Sequence, residues 1–324
     1  MISSVLKGDN HLNSNLYAVD LIRHVNNASP ITYDTNSLKP IGDPDFKSDV
    51  HDTPFKFYLS GDKPAHNAVL IISQEAFPYS VEKAIYNARQ IQGQLTPQNA
   101  AVILKPRHEG HFQGRSYAIW PEHKPISDFR PLRFLQKRWL QPRVFSWLQS
   151  IAKESLVRNL TDQSVDVFFR GPLESLVANQ RLSNSIRCSA EKALTDLQTK
   201  QWEPATTAQH SDCTLGNILL LNHRVPSPDN GYGFCVIDWG AGLTNGVPAF
   251  DMIRYCMSTN VSTSNAKNAL VSYAQTLDID PQELIHYLIC ALGQIGMNLE
   301  QFPETRYLDM CERNVSYVQR FSYA

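Results

Sequence analysis

At 324 residues the chain is long enough for one large domain or two ordinary ones, each with a core of its own. Its 30 basic and 31 acidic residues give a formal net charge of −1, which excludes a basic footprint for nucleic acid and an acidic tail. A hydrophobic share of 42%, with no signal-peptide core in MISSVLKGDNHLNSN and no apolar run of membrane length, reads as an ordinary soluble protein of the cytoplasm.

In chain order, the first part reads as short strands between turns. PFKFYLS (54–60), NAVLIIS (67–73), AAVILKP (100–106) and RSYAIWP (115–121) are strand-like, bounded by turn residues such as Ser60-Gly61-Asp62 and the stretch His111 to Gly114. One helix interrupts them. In SVEKAIYNARQIQG, Val81, Ala84, Ile85, Ala88 and Ile91 recur at helical spacing, with Ser80 placed to cap the start and Gly93 to end it. RHEGH (107–111) gathers His108, Glu109 and His111, but a zinc-binding H-E-x-x-H needs its histidines four apart on a helix. A hairpin tip is expected there instead.

The proline-rich stretch WPEHKPISDFRP (120–131) divides the chain, and the sequence beyond it is mostly helical. Helices are expected near 131–141, 143–158, 172–200, 250–258, 264–276, 281–299 and 304–320. The exception is 205–238, where two short strands, NILLL and GFCVID, flank a turn-rich loop. In DFRPLRFLQKRWLQPR, Pro131 opens a helix with Leu132, Leu135 and Trp139 on one face and Arg130, Arg133 and Lys137 opposite. A helix packed on its lobe with a solvated basic side is expected; the sharper alternative is a basic surface for an anionic substrate or a membrane. The six cysteines stand alone, without a C-x-x-C pair, and read as free thiols. Four N-x-S/T sequons, at Asn27, Asn159, Asn260 and Asn314, read as chance. The organisation is a small strand-rich lobe followed by a larger helical one.

HSDCTLGNILL (210–220) sets His210, Asp212 and Asn217 just ahead of an apolar run. If NILLL and GFCVID pair as a hairpin, Asp212 and Asn217 come near Asp238 of CVIDWGAG. Two carboxylates, a side-chain carbonyl and a small glycine-bordered loop then share one place. Hard oxygen donors of this kind suit Mg²⁺, which shares its shell with substrate phosphates. One carboxylate can hold metal while the other accepts a proton from an attacking hydroxyl. The bland alternative makes His210 a satisfied polar residue at a strand end, Asp212 a turn former and Asp238 a hairpin edge. The chain has no P-loop, no dinucleotide fingerprint and no nucleophile elbow.

His210-x-Asp212-x-x-x-x-Asn217 followed by Ile237-Asp238-Trp239-Gly240 resembles the kinase-like phosphotransferases, with the aminoglycoside phosphotransferase and choline kinase group as the nearest pattern. That group reads H-G-D-x-x-x-G-N-x-[LIV] and then I-D-[WF], which Leu215-Gly216-Asn217-Ile218-Leu219 and Val236-Ile237-Asp238-Trp239 match. The resemblance is specific over residues 205–256 and architectural elsewhere. It implies an α+β, bilobal protein-kinase-like fold, with 1–122 as a nucleotide lobe ending in a hinge and 123–324 as the catalytic and acceptor-binding lobe. It further implies transfer of the γ-phosphate of ATP (or GTP), with Mg²⁺, to a hydroxyl of a small molecule, and no nucleic acid, membrane span or obligate protein partner. Asp212 would be the catalytic base, His210 and Asp251 supports of its loop, and Asn217 and Asp238 the metal ligands. Backbone around Ala118, Ile119 and Trp120, on to Glu122, would hold the purine.

The small lobe departs from that pattern. A kinase strand lysine reaches the phosphates and pairs with a helix glutamate. Glu82 sits on the helix, but NAVLIIS has no basic residue; Lys56 or Lys63 would have to substitute, and Gly42 stands alone where a glycine-rich loop belongs. A catalytically silent nucleotide-binding or scaffolding protein is therefore the alternative. Ser211 in place of an arginine, Thr214 in place of a lysine, and the short run from Asp238 to Asp251 favour a soluble acceptor over a protein substrate. Asp278, Asp280, Glu283, Tyr287 and Glu300 are expected to help line the acceptor pocket.

Overall fold

The computed structural model describes residues 6–42, 53–222, 230–300 and 302–321, with side chains from residue 15 onward. The residues directly after Gly42 lie outside this set. Strands β1 (Tyr33–Pro40), β2 (Phe55–Gly61), β3 (Ala68–Ile72), β4 (His108–Phe112) and β5 (Arg115–Pro121) form one antiparallel sheet in the order β1-β2-β3-β5-β4. Alternation along the strands sends side chains to opposite faces. Phe57, Leu59, Leu70, Ile72 and Ile119 meet Ala18, Leu21, Ile22 and Val25 of helix α1 (Leu6–Ala28) on one face. On the other, Ile71, Ala118 and Trp120 meet Val81 and Ile85 of α2 (Ser80–Gln92). Farther along α2, Ala88 and Ile91 belong to the main core of the helical half. The helical spacing of α2 is as expected, but Tyr79 rather than Ser80 stands at its N-cap.

Two strand expectations are corrected. AAVILKP is not a strand of the sheet: α3 (Pro97–Ala100) runs into it, and Val102 and Ile103 are buried in the core of the helical half. Ile103 bridges Val236 in parallel, the Val236 N–H donates to the Val102 carbonyl at 2.8 Å, and the Leu104 N–H donates to the Val236 carbonyl at 3.1 Å. RHEGH is not a hairpin tip either; it forms β4 itself, and the tip is Gln113-Gly114, both with positive φ (46° and 79°). Its side chains part company: His108 meets Ser29 at 2.9 Å, Glu109 meets Arg89 at 2.7 Å and His111 meets Glu82 at 3.3 Å.

The helical half contains β6 (Lys124–Pro125), α4 (Arg130–Glu154), α5 (Asp162–Val165), α6 (Gly171–Ala178), α7 (Asn184–Gln198), β7 (Thr207–Gln209), β8 (Ile218–Leu220), β9 (Phe234–Val236), β10 (Leu243–Gly246), α8 (Phe250–Thr259), α9 (Thr263–Thr276), α10 (Leu284–Met297) and α11 (Glu304–Gln319). The expected span 172–200 is broken into α6 and α7, the second capped by the Ser183 hydroxyl, which accepts from the Ile186 N–H. Conversely, the two helices expected around Pro142 are one, with the proline inside α4. This single rod overturns the packing expected of its first turns. The buried stripe is fixed by Leu140, Val144, Trp147, Leu148 and Ile151. Traced back at helical spacing, that stripe meets Gln136, Lys137 and Arg133 rather than the apolar residues. Leu132, Leu135 and Trp139 are consequently exposed, at 43%, 60% and 40%, while the Lys137 ammonium turns in to the Thr259 carbonyl.

β6, β8 and β9 form a small antiparallel sheet in that order, with Ile218 opposite Val236. The hairpin β8–β9 therefore has the linker between the lobes on one edge and the Val102–Leu104 strap on the other. Among the described residues no helix is long and apolar enough to cross a membrane. The six cysteines are free, and only Cys188 is exposed.

His123 lies in that linker, 4% exposed, with Nδ1 accepting from the Asn222 N–H at 3.1 Å. Burial, assisted by the Arg107 charge, pushes its pKa down to about 4. Because the folded pKa lies below the unfolded one, the unfolded chain takes up the proton first as pH falls. The folded state should therefore lose stability between pH 6.5 and about 4, by an amount on the order of 2–3 kcal/mol. Urea midpoints at pH 7 and pH 4.5 check this. His123→Gln should lose less on acidification than the parent, and equal losses would rule His123 out as the cause.

Candidate functional site

The site grows from the segment between β7 and β8. His210 is fully buried. The Asp212 backbone N–H donates to its Nδ1 at 3.2 Å, so the proton sits on Nε2, which donates to the Ile237 carbonyl at 2.8 Å. The ring thus ties the loop before β8 to the end of β9, and it packs on Trp239 with centroids 4.5 Å apart. Asp251, in the first turn of α8, fixes the same loop from below. Its carboxylate accepts from the backbone N–H groups of His210 at 2.6 Å and Ser211 at 2.9 Å. Burial pushes the Asp251 pKa up, against the pull of His210 and of those two N–H groups. Ser211, at φ 71°, sits in the left-handed region that L-residues rarely adopt. Strain of this kind persists only where surrounding bonds over-determine it.

Held this way, Asp212 is half-exposed, with a side-chain exposure of 50%. Its Oδ2 accepts from Asn217 Nδ2 at 3.0 Å, and that same amide also donates to the Asp212 carbonyl at 2.8 Å. Asn217 Oδ1 has no partner among the described residues. The Ile237 N–H donates to the Asn217 carbonyl at 3.0 Å, so the hairpin sets Asp238 one residue beyond the rung that Asn217 begins. Asp238 is exposed, holds φ 67°, and its carboxylate has no hydrogen-bond or ion-pair partner among the described residues. Asp212, Asn217 and Asp238 therefore come together at one end of the β8–β9 hairpin.

For a divalent metal, the donor set that fits is the Asn217 Oδ1 and the Asp238 carboxylate, both hard oxygens and both without a partner among the described residues. Among the described residues no three His, Cys, Asp or Glu side chains gather to hold a metal unaided. Two oxygens from the chain suit Mg²⁺, which keeps several waters and completes its shell with phosphates.

In the strand-rich half, Lys56 lies across from Ile71 in register, and Ile71 across from Ala118, on the α2 face. The Lys56 ammonium has no ion-pair partner among the described residues. Glu82 is not brought to it; it pairs with His111 on β4. Ala118 and Ile119 lie on an interior strand and are paired with both β3 and β4, so their backbone groups belong to the sheet. Side chains Ala118 and Trp120 face α2, whereas Ile119 faces α1. Asn87 of α2 donates to the Trp239 carbonyl at 3.2 Å and the Gly240 carbonyl at 3.1 Å, which seats the loop carrying Asp238 against the small lobe.

One residue at the candidate site escapes the sequence reading. Arg254 Nη2 stands 2.7 Å from Asp212 Oδ1. The available signal is its place three residues after Asp251, one turn along α8 and on the same side. The residues expected to line an acceptor pocket do not gather at one place. Tyr287 is core, 1% exposed, and Glu300 pairs with Lys83. A cavity of about 210 Å³ near Asp212 is lined from α8, α11 and Thr214, and none of Asp278, Asp280, Glu283, Tyr287 or Glu300 lines it.

No family model matches the chain, and no curated protein matches it. Among solved structures, a thermostable mutant of aminoglycoside phosphotransferase APH(4)-Ia in apo form is similar over 90% of this chain and 97% of its own, at 14% identity and a TM-score of 0.50. Spectinomycin phosphotransferase APH(9)-Ia in complex with ADP and spectinomycin covers 93% and 97%, at 14% identity and a TM-score of 0.46. A choline/ethanolamine kinase family protein from Mesorhizobium loti covers 87% and 92%, at 12% identity and a TM-score of 0.47. Element order and the likeness to the first of these give the fold: α+β, bilobal and protein-kinase-like, as in the kinase-like phosphotransferases.

Proposed function

We propose that the protein is a phosphotransferase that moves the γ-phosphate of ATP (or GTP) to a hydroxyl of a small molecule. The observation that carries this reading is the meeting of Asp212, Asn217 and Asp238 at one end of a hairpin, with Asp212 held by a strained and fully anchored loop. Asp212 aligns the acceptor hydroxyl and takes its proton late. The acceptor oxygen forms a bond to the γ-phosphorus while the bridging bond to the β-phosphate breaks, and ADP leaves with the electron pair. His210 touches no reacting atom; it positions Asp212 through the backbone. Asn217 and Asp238 would hold Mg²⁺, which neutralises developing phosphate charge when bound with nucleotide. Arg254 steadies the Asp212 carboxylate, and Lys56 supplies the cation that β3 lacks.

A second reading, a silent nucleotide-binding or scaffolding protein, is favoured by Lys56 having no ion-pair partner among the described residues and by Glu82 turning to His111. Calorimetry with ATP and GTP, with and without Mg²⁺, separates the two when joined to an ADP-release screen of hydroxylated metabolites. Mg²⁺-dependent binding with acceptor-dependent ADP release is the expected result. No binding at millimolar nucleotide would sink the phosphotransferase reading.

A further inference from the structure

The start of α4 lies outside the site described above, and it gathers large apolar side chains at the surface. Phe129, Phe134 and Leu135 are 68%, 63% and 60% exposed, with Leu132 and Trp139 beside them. Every residue from Asp128 to Leu135 is exposed. Those in the helix, Arg130 to Leu135, cover more than a full turn, so no side of the rod rests on the body there. Attachment begins at Lys137, which reaches the Thr259 carbonyl at 3.2 Å. Trp139 completes the junction: its ring lies so near Gly233 that a Cβ there would come within 2.6 Å of it. The first turns of α4 therefore project from the molecule.

Positive charge collects at the same place. From His123 to Arg143 stand six lysines and arginines and one acid, Asp128, in a chain that balances 30 bases against 31 acids. Lys124, Arg130, Arg133 and Arg138 are exposed, and their side chains have no ion-pair or hydrogen-bond partner among the described residues. Arg23, Arg89, Arg170, Arg181 and Arg313, by contrast, each lie against a carboxylate. Cations gathered without counter-charges repel a second copy of the same surface and attract an anionic one. A protein partner would cover one face of the rod. Phe134 shares no face with Leu132 or Leu135, because residues one or two apart on a helix point in different directions. Apolar and basic side chains instead surround the whole projecting end.

We propose that the start of α4 docks on an anionic membrane surface. Phe129, Leu132, Phe134 and Leu135 enter the boundary between headgroups and acyl chains, and Arg130, Arg133 and Arg138 meet lipid phosphates. A bilayer surface yields and surrounds an inserted end on all sides, which a rigid protein face does not. Arginine stems lie along apolar surface while their heads reach outward, and helices that mix aromatic, leucine and basic residues lie in this boundary. The chain rests on the membrane without crossing it, since no helix among the described residues is long and apolar enough to span one. Part of the attraction is between charges, so it weakens as salt rises. None of this depends on the phosphotransferase reading.

The test mixes the full chain with vesicles of phosphatidylcholine alone, and with vesicles of equal parts phosphatidylcholine and phosphatidylglycerol. The bound fraction is read by flotation. The parent should bind the anionic vesicles at least about tenfold more tightly than the neutral ones, and less tightly as salt is raised. Two double variants, at exposed positions that leave folding intact, separate the apolar and charged contributions. Phe134→Ser with Leu135→Ser, and Arg133→Glu with Arg138→Glu, should each weaken binding to anionic vesicles at least about tenfold. No binding to anionic vesicles, equal binding to neutral ones, or binding that survives either double variant would overturn the proposal. Polyglutamate bound as tightly as the anionic vesicles, and unaffected by Phe134→Ser with Leu135→Ser, would assign the surface to an acidic protein segment and overturn it too. So would a dimer, seen by sedimentation without vesicles, that Phe134→Ser with Leu135→Ser dissolves; the surface would then belong to a second copy of the chain.

Discussion

Asp212→Asn should lower phosphoryl transfer by about 10²–10⁴-fold, or about 3–5 kcal/mol of barrier, while nucleotide affinity barely moves. The substitution keeps the shape of a side chain that bonds Arg254 through one oxygen and Asn217 through the other. Only one of those bonds needs to be lost, since an amide has a single carbonyl oxygen. What disappears is the anionic acceptor for the hydroxyl proton. The loose character of phosphoryl transfer bounds the effect, because proton removal comes late and positioning supplies much of the rate. ADP release and nucleotide affinity, measured side by side for parent and variant, decide the matter. Turnover within a few-fold of the parent would falsify the assignment of Asp212 as base. A collapse of nucleotide affinity instead would make it a metal ligand or a structural group.

Asp238→Ala should abolish the Mg²⁺ dependence of nucleotide binding. The parent should bind nucleotide at least about tenfold more tightly with Mg²⁺ than without, a difference of about 1.4 kcal/mol or more, and the variant should bind equally in both. Asp238 supplies the only carboxylate of the proposed donor pair and takes part in no bond of the fold among the described residues, so its removal leaves the hairpin intact. It also relieves nothing at the backbone, because alanine at φ 67° is no easier than aspartate. An unchanged Mg²⁺ dependence in calorimetry would remove Asp238 from the metal site and leave Asn217 without its partner.

The parts of this molecule that sequence makes readable are those where local chemistry and tertiary role agree. NILLL and GFCVID are short apolar runs bounded by turn-forming residues, and they pair as a hairpin with Ile218 opposite Val236. The helical spacing of Val81, Ile85, Ala88 and Ile91 is the buried face of α2. Where tertiary context decides, the sequence misleads. VIL of AAVILKP is apolar because it docks on another lobe, and a short apolar run carries no sign of what buries it. β1, YDTNSLKP, has almost no apolar alternation, and its pairing with β2 shifts register between Asp34 and Lys39. The face of α4 is hard to read because Pro131 and Pro142 suggest a short helix, whereas a single rod takes its phase from the turns beyond Pro142. Arg254 shows the limit at the site itself. Its partner Asp212 is 42 residues away in the chain, and nothing short of the fold brings a guanidinium to that carboxylate.

The strap at Val102–Leu104 has a kinematic meaning. A body pinned at two points can still turn about the line that joins them; a third pin off that line leaves it no axis. β6 and the strap grip opposite edges of the β8–β9 hairpin, and α2 supplies the third pin, with Asn87 on the Trp239 and Gly240 carbonyls and Ala88 and Ile91 in the core of the helical half. In this arrangement the strand-rich lobe is locked to the hairpin that bears Asn217 and Asp238, and a rotation between the lobes would have to break one of the three attachments.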